Sequence, residues 1–174
     1  CVTQIEDGTI ATGTVDGITF IKRGRMNTSL TAEDGLQNTQ ILSIVPGENN
    51  STWAGSDGSG IYVVSEGKLS KNYTVEDGLS SNVILRLVPY EDGFFVVTSN
   101  GLCYIDFDGN VTRLEKFPYF NNYDIIIDGE TAYITCSAGI YEMEVADLRA
   151  DSGQVKLYSA GEGLLSGLTA NSWN

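Results

Sequence analysis

The chain has 174 residues, enough for one domain with a real core, and a net charge of −13 from 23 acidic against 10 basic residues. That acidity argues against nucleic acid, whose phosphates would be repelled, and against direct docking on an anionic membrane. The sequence holds no histidine, which removes the commonest general base, the commonest zinc nitrogen ligand and every Ser-His or Cys-His relay.

In chain order, the first strand-like runs are VTQI, GTIATGT, GITFI and RMNTSL, rich in Val, Ile and Thr and separated by turn residues. Cys1 is not read as lipid-bearing, because VTQI follows at once without a tether. The word LTAEDGLQNT comes next, at 30–39, ahead of ILSIVP, STWAGS, GIYVV and KLSKNY. It is written again as YTVEDGLSSN at 73–82. Thr31, Glu33, Asp34, Gly35 and Leu36 recur there as Thr74, Glu76, Asp77, Gly78 and Leu79, 43 residues on.

The third set is VILRLVP, FFVVTS, LCYIDF and VTRLEKF, its middle turn being Asn100-Gly101. The fourth is YDIII, TAYITC, GIYEME and QVKLYS, with a longer loop, ADLRADSG, before its last strand. The word returns, blurred, as SAGEGL, and LTANSW reads as the start of a further first strand. The copy due near residue 120 is missing, and the chain reads FPYFNNYD there. Lacking an initial Met and stopping at NSWN, the chain reads as a segment of a longer protein.

A second column repeats in step. Gly17-Ile18, Gly60-Ile61, Gly101-Leu102 and Gly139-Ile140 are spaced by 43, 41 and 38 residues, each followed by an aromatic: Phe20, Tyr62, Tyr104, Tyr141. Periods near 40 indicate propellers or helical arrays, and no stretch here carries a helical apolar stripe. Each repeat is therefore expected to be four short antiparallel strands that bury both faces against neighbouring sheets. The expected fold is all-β: a β-propeller of about four four-stranded antiparallel blades, either part of a larger propeller or a ring completed by a partner. The blades fall at about 1–30, 31–73, 74–117 and 118–159, with 160–174 starting another.

The word EDGL(S/Q)xN, a strand ending in a turn such as EDG, a small-residue strand, and (N/S)GL or GI with an aromatic together resemble the two-component regulator propeller repeat. Residues 74–107 match closely, and 31–64 match with Trp53 in the second strand. The first and fourth copies lack the leading word. The resemblance implies an extracytoplasmic sensor domain of a bacterial histidine kinase, hybrid kinase–regulator or diguanylate cyclase. It implies an output kinase or cyclase domain in the same parent chain, and in gut relatives a link to polysaccharide use.

Cys1, Cys103 and Cys136 are odd in number and widely spaced, which makes neither a disulfide framework nor a zinc site. DFDGN (106–110) resembles a calcium-loop fragment, but the strand after it leaves Glu115 at the wrong spacing, so a plain turn is expected. Trp53, Tyr62, Phe95, Tyr104 and Tyr141 are expected in the core between blades. The sequons at Asn27, Asn49, Asn50, Asn72 and Asn110 follow from a turn-rich composition.

Loops entering first strands should share a face with the loops joining second and third strands. Amides beside aromatics on that face suit a small neutral ligand such as a carbohydrate. The candidate ligand-binding residues are Asn38, Asn82, Tyr119, Phe120, Asn122 and Trp173, with no catalytic residue, metal or cofactor. A homodimer is a candidate assembly. The alternative readings are a protein-interaction scaffold without a small ligand and, less supported, a carbohydrate-active enzyme, whose paired carboxylates would have to converge on one cleft.

Overall fold

A computed structural model describes residues 1–118 and 121–165 of the chain. These residues form four antiparallel sheets, each a simple meander of four strands in chain order. The first holds β1 (Val2–Gln4), β2 (Ile10–Gly13), β3 (Ile18–Lys22) and β4 (Arg25–Leu30). The second holds β5 (Ile41–Pro46), β6 (Thr52–Ser56), β7 (Ile61–Ser65) and β8 (Lys68–Tyr73). The third holds β9 (Ile84–Tyr90), β10 (Gly93–Thr98), β11 (Gly101–Asp106) and β12 (Val111–Arg113). The fourth holds β13 (Asn122–Asp128), β14 (Thr131–Cys136), β15 (Gly139–Glu144) and β16 (Lys156–Tyr158).

The sheets stack face to face as blades. Their first strands lie side by side in the order β1, β5, β9, β13 and form the inner wall. Three apolar layers lie between successive blades. Ala11, Ile18, Phe20 and Leu30 meet Ile44, Ala54, Tyr62 and Val64. Trp53, Ile61 and Val63 meet Phe94, Val96, Cys103 and Ile105. Phe95, Val97 and Tyr104 meet Ile125, Ile134, Tyr141 and Met143. Side chains alternate between the two faces of a strand, so β10 is buried along its whole length, facing blade two with Phe94 and Val96 and blade four with Phe95 and Val97.

The repeated word is a link, and its chemistry is local. The Thr31 hydroxyl accepts from the Glu33 N–H, and the Asp34 carboxylate accepts from the Thr31 N–H at 2.9 Å. Thr74 and Asp77 repeat this capping box, and so do Ser159 and Glu162 in the blurred copy. Each box closes one turn of 3₁₀ helix, and a left-handed glycine ends it, Gly35 at φ 100° and Gly78 at φ 113°. The next residue, Leu36 or Leu79, is then dropped into an inter-blade layer, at 1% and 0% exposure. The word thus turns the chain from a blade's outer strand to the next blade's inner strand.

Two expectations need correction. The strand expected over 111–117 stops at Arg113, because Leu114 and Phe117 turn into the layer between blades three and four. The N–H groups of Glu115 and Lys116 donate to the Asp151 carboxylate instead of to a neighbouring strand. The expected loop ADLRADSG begins as a short helix, α1 (Val145–Arg149). Val145 and Leu148, three residues apart, share its buried side and close the end of the same layer. Arg149 lies over the Tyr104 ring, 3.7 Å from its centroid.

Candidate functional site at the channel mouth

The inner strands are not regular at their starts. The pairing of β5 with β6 skips Leu42, that of β9 with β10 skips Leu85, and that of β13 with β14 skips Tyr123. Each is a β-bulge at the same register position, and a bulge re-aims the extra side chain. Leu42, Leu85 and Tyr123 all line a cavity of about 690 Å³ on the concave side of the arc, with β1, β5, β9 and β13 as its walls.

The residue after each bulge ties one inner strand to the next. Ser43 Oγ accepts from the Leu87 N–H at 3.0 Å. Arg86 Nε donates to Asp124 Oδ1 at 3.0 Å, and the same oxygen accepts from the Ile125 N–H. The Asp124 side chain is 5% exposed and that of Arg86 27%, so the carboxylate is sequestered while the arginine stays partly open, and both residues line the cavity. They are the charged side chains among the described lining residues. An apolar wall carrying one oriented donor–acceptor pair is the usual composition of a small-ligand site.

Asn122 opens β13 at the register position held by Ile41 and Ile84 in the two blades before it. It is 1% exposed, and neither its Oδ1 nor its Nδ2 has a hydrogen-bond partner among the described residues. Blade four therefore begins NYD where its neighbours begin ILS and ILR.

The loops entering β5 and β9 meet the loop between β6 and β7, while 119–120 and 171–173 lie outside the described residues. Asp57, between β6 and β7, donates its N–H to Gln40 O and bridges to Val83. The two amides singled out on this face serve the loops themselves. Asn38 donates from Nδ2 to Asp57 O, accepts at Oδ1 from the Gln40 N–H, and exchanges backbone bonds with the Tyr62 hydroxyl. Asn82 Oδ1 accepts from the Val75 N–H, and Asn82 O accepts from Gly58 and Gly60. Tyr119, Phe120 and Trp173 lie outside the described residues. Leu42, Leu85, Tyr123 and the Arg86–Asp124 pair were not among the selected candidates. Their signal was the recurring triplet at the head of each first strand, ILS, ILR and NYD.

DFDGN is a turn: the Asp106 carboxylate accepts from the Asn110 N–H and side-chain amide, each at 2.8 Å. Burial works to raise the Asp106 pKa, but these bonds and backbone donors outweigh it and hold the group below the usual carboxylate range.

No protein-family model matches the chain, and no curated protein matches it by sequence. Solved structures do match in fold. The extracellular domain assigned to the hybrid two component system BT3049 from B. thetaiotaomicron superposes with a TM-score of 0.77 at 18% identity, over 96% of this chain and 24% of that one. The chain has the fold of a β-propeller. A catalytically inactive virginiamycin B lyase from Staphylococcus aureus with quinupristin gives 0.71 at 15% identity, over 91% of this chain and 54% of that one. The computationally designed Ika8 protein gives 0.65 at 16% identity, over 99% and 52%. This propeller arc thus spans about a quarter of the two component system's domain and about half of the other two chains. The first likeness agrees with the two-component regulator propeller resemblance carried by the repeat. No helix among the described residues is long and apolar enough to cross a membrane.

Proposed function

We propose that this propeller arc is a non-catalytic, ligand-binding part of an extracytoplasmic sensor in a membrane-bound bacterial signalling protein, its parent chain carrying a kinase or cyclase output domain. The observation that carries the ligand-binding reading is the bulge at the head of each of three successive inner strands. It turns Leu42, Leu85 and Tyr123 toward one cavity beside the Arg86–Asp124 pair. A small neutral ligand such as a carbohydrate fits that wall. Its apolar face would lie on Tyr123, and its hydroxyls would meet the Arg86–Asp124 pair. Tyr119, Phe120 and Trp173 are proposed to add contacts from the rim. Binding would bias the output domain through differential affinity for two packings of blades or subunits.

Calorimetric titration of the purified chain against a panel of neutral oligosaccharides tests this reading. Saturable binding that is lost on Tyr123→Ala and Tyr119→Ala supports it, while silence across the panel favours the scaffold. The scaffold reading has one observation on its side: Asn38 spends both ends of its amide, and Asn82 its amide oxygen, inside the rim loops.

A further inference from the structure

The layers between blades can be compared position by position, because the repeat aligns them. Counting from Gly17, Gly60 and Gly101 sets Thr52 and Glu66 of blade two in the places of Phe94 and Phe107 of blade three, and Ala11 of blade one in the place of Trp53 of blade two. Between blades two and three, Trp53, Phe94 and Phe107 pack on one another with ring centroids 5.1 to 6.3 Å apart. In blade four the place of Phe107 is taken by Val145, which fills the end of its layer with Leu114, Phe117 and Leu148. Between blades one and two the three rings are replaced by Ala11, Thr52 and Glu66.

A cavity of about 380 Å³ opens in that layer, between two sheets that face each other and at the end opposite the channel-mouth loops. Ile5, Phe20 and Val64, all buried, form its floor. Asn27, Asn49, Asn50 and Glu66 stand at exposed positions around its mouth. Asn49, Asn50 and Glu66 sit in left-handed turns, at φ 53°, 58° and 52°. Lys22 and Asp7 are bound to each other, so Glu66 is the charge left over among the described lining residues. A Cβ on Gly67 would come within 3.3 Å of Thr28 Cγ2, so the two blades touch along the outer side of the cavity.

An apolar floor with a few placed polar groups is the composition of a small-ligand site. Loss of the rings leaves room for a ring, and the mouth offers one carboxylate beside three amide oxygens. We propose that this cavity is a second ligand site, separate from the channel, for a small organic cation. Its flat apolar body lies on Phe20 and Val64, in the space the rings vacate. Its ammonium group, a donor only, gives hydrogen bonds to Glu66 and to the amide oxygens of Asn27, Asn49 and Asn50. The net charge of −13 draws a cation toward the chain and disfavours an anion of the same shape.

Amide NMR titration of the whole chain with phenethylamine, phenethyl alcohol, hydrocinnamate and ethylamine tests this. The aromatic amine should shift signals in the turns after β1, β5 and β7. It should bind roughly tenfold more tightly than the alcohol, which lacks the charge, and than ethylamine, which lacks the ring. Hydrocinnamate should not bind. Glu66→Gln, at an exposed position, should leave the fold unchanged and bring the amine down to the affinity of the alcohol. Val64→Phe should refill the layer and abolish binding, with a urea midpoint to verify that the chain still folds. Tyr123→Ala, in the channel, should leave amine binding unchanged, so this site and the channel reading can fail independently. No saturable shift with the amine, shifts confined to other turns, an alcohol that binds as tightly, full affinity in Glu66→Gln, or loss on Tyr123→Ala would each overturn the proposal.

Discussion

Glycine at the start of a third strand is held by a steric requirement. A Cβ on Gly60, at φ +78°, would lie 1.9 Å from Tyr73 O, and Gly17 and Gly139 meet Leu30 O and Tyr158 O at 2.0 Å. Gly101 belongs to the same column of sequence, but a Cβ there would come no nearer than 3.6 Å, to Ser80. Gly60→Ala should therefore lower stability by about 2–4 kcal/mol, from left-handed strain and overpacking together, while Gly101→Ala should change it by under ~1 kcal/mol. Urea midpoints of the two variants measure the contrast. Thr74→Ala removes one half of a capping box and should cost about 1 kcal/mol, read from the same unfolding curves. Equal effects of Gly60→Ala and Gly101→Ala would mean that backbone contact is not what holds the column.

The link elements and one surface ion pair set the acid response. Asp7 is drawn down from 3.8 to about 2, first by its hydrogen bond to Lys22 and then by bonds from Thr9. Glu162 is likewise held below its ordinary value, chiefly by the Ser159 hydroxyl and N–H. A depressed carboxylate adds stability that is present above its unfolded value and lost as pH falls through its folded one. For Asp7 that window runs from about 3.8 down to about 2. Thermal midpoints should therefore fall across this window, and Asp7→Asn should make the fall shallower. The pair is exposed, so the difference should shrink in high salt. An unchanged slope for Asp7→Asn would remove the pair from the account. Burial, followed by the nearby Asp92 carboxylate, raises the Tyr104 hydroxyl above the ordinary tyrosine value. Tyr104 donates to Tyr90 O and Asp92, so it stays protonated as a tie across the end of the third blade.

Across the described residues, each blade packs chiefly on its neighbours, so stability is approximately a sum of blade terms and layer terms. Blades two and three are covered on both sides, whereas β2 and β14 alternate buried and half-buried positions because one side of blades one and four is open. Backbone amides in β6 and β10 should accordingly exchange with solvent most slowly, and those of β1 and β16 fastest. Hydrogen-exchange mass spectrometry under native conditions reads this order. Uniform protection across the four blades would contradict the layered account.

Much of the architecture was legible in residue order. A word recurring at 43 residues, glycines recurring beside it and short β-rich runs between them dictate four strands per repeat, because those turns and that period are local properties of the chain. Even the role of EDGL as punctuation follows locally, from a Thr–Asp box and a left-handed glycine. The short helix at Val145–Arg149 and the early end of β12 were not legible, since both depend on where Leu114, Phe117 and Leu148 find an apolar layer made by distant residues. The candidate site divides the same way. Residue types placed Asn122 among the candidates, but no local signal showed that Asn38 would donate its amide to the loop between β6 and β7 at Asp57. Three bulges, 38 to 43 residues apart in the chain, converge on one cavity only when the blades stack. Sequence alone determined the repeat, because hydrogen-bonded turns and alternating strands are written within a few residues. Tertiary structure decided the channel wall and the Arg86–Asp124 tie, because each is a contact between blades.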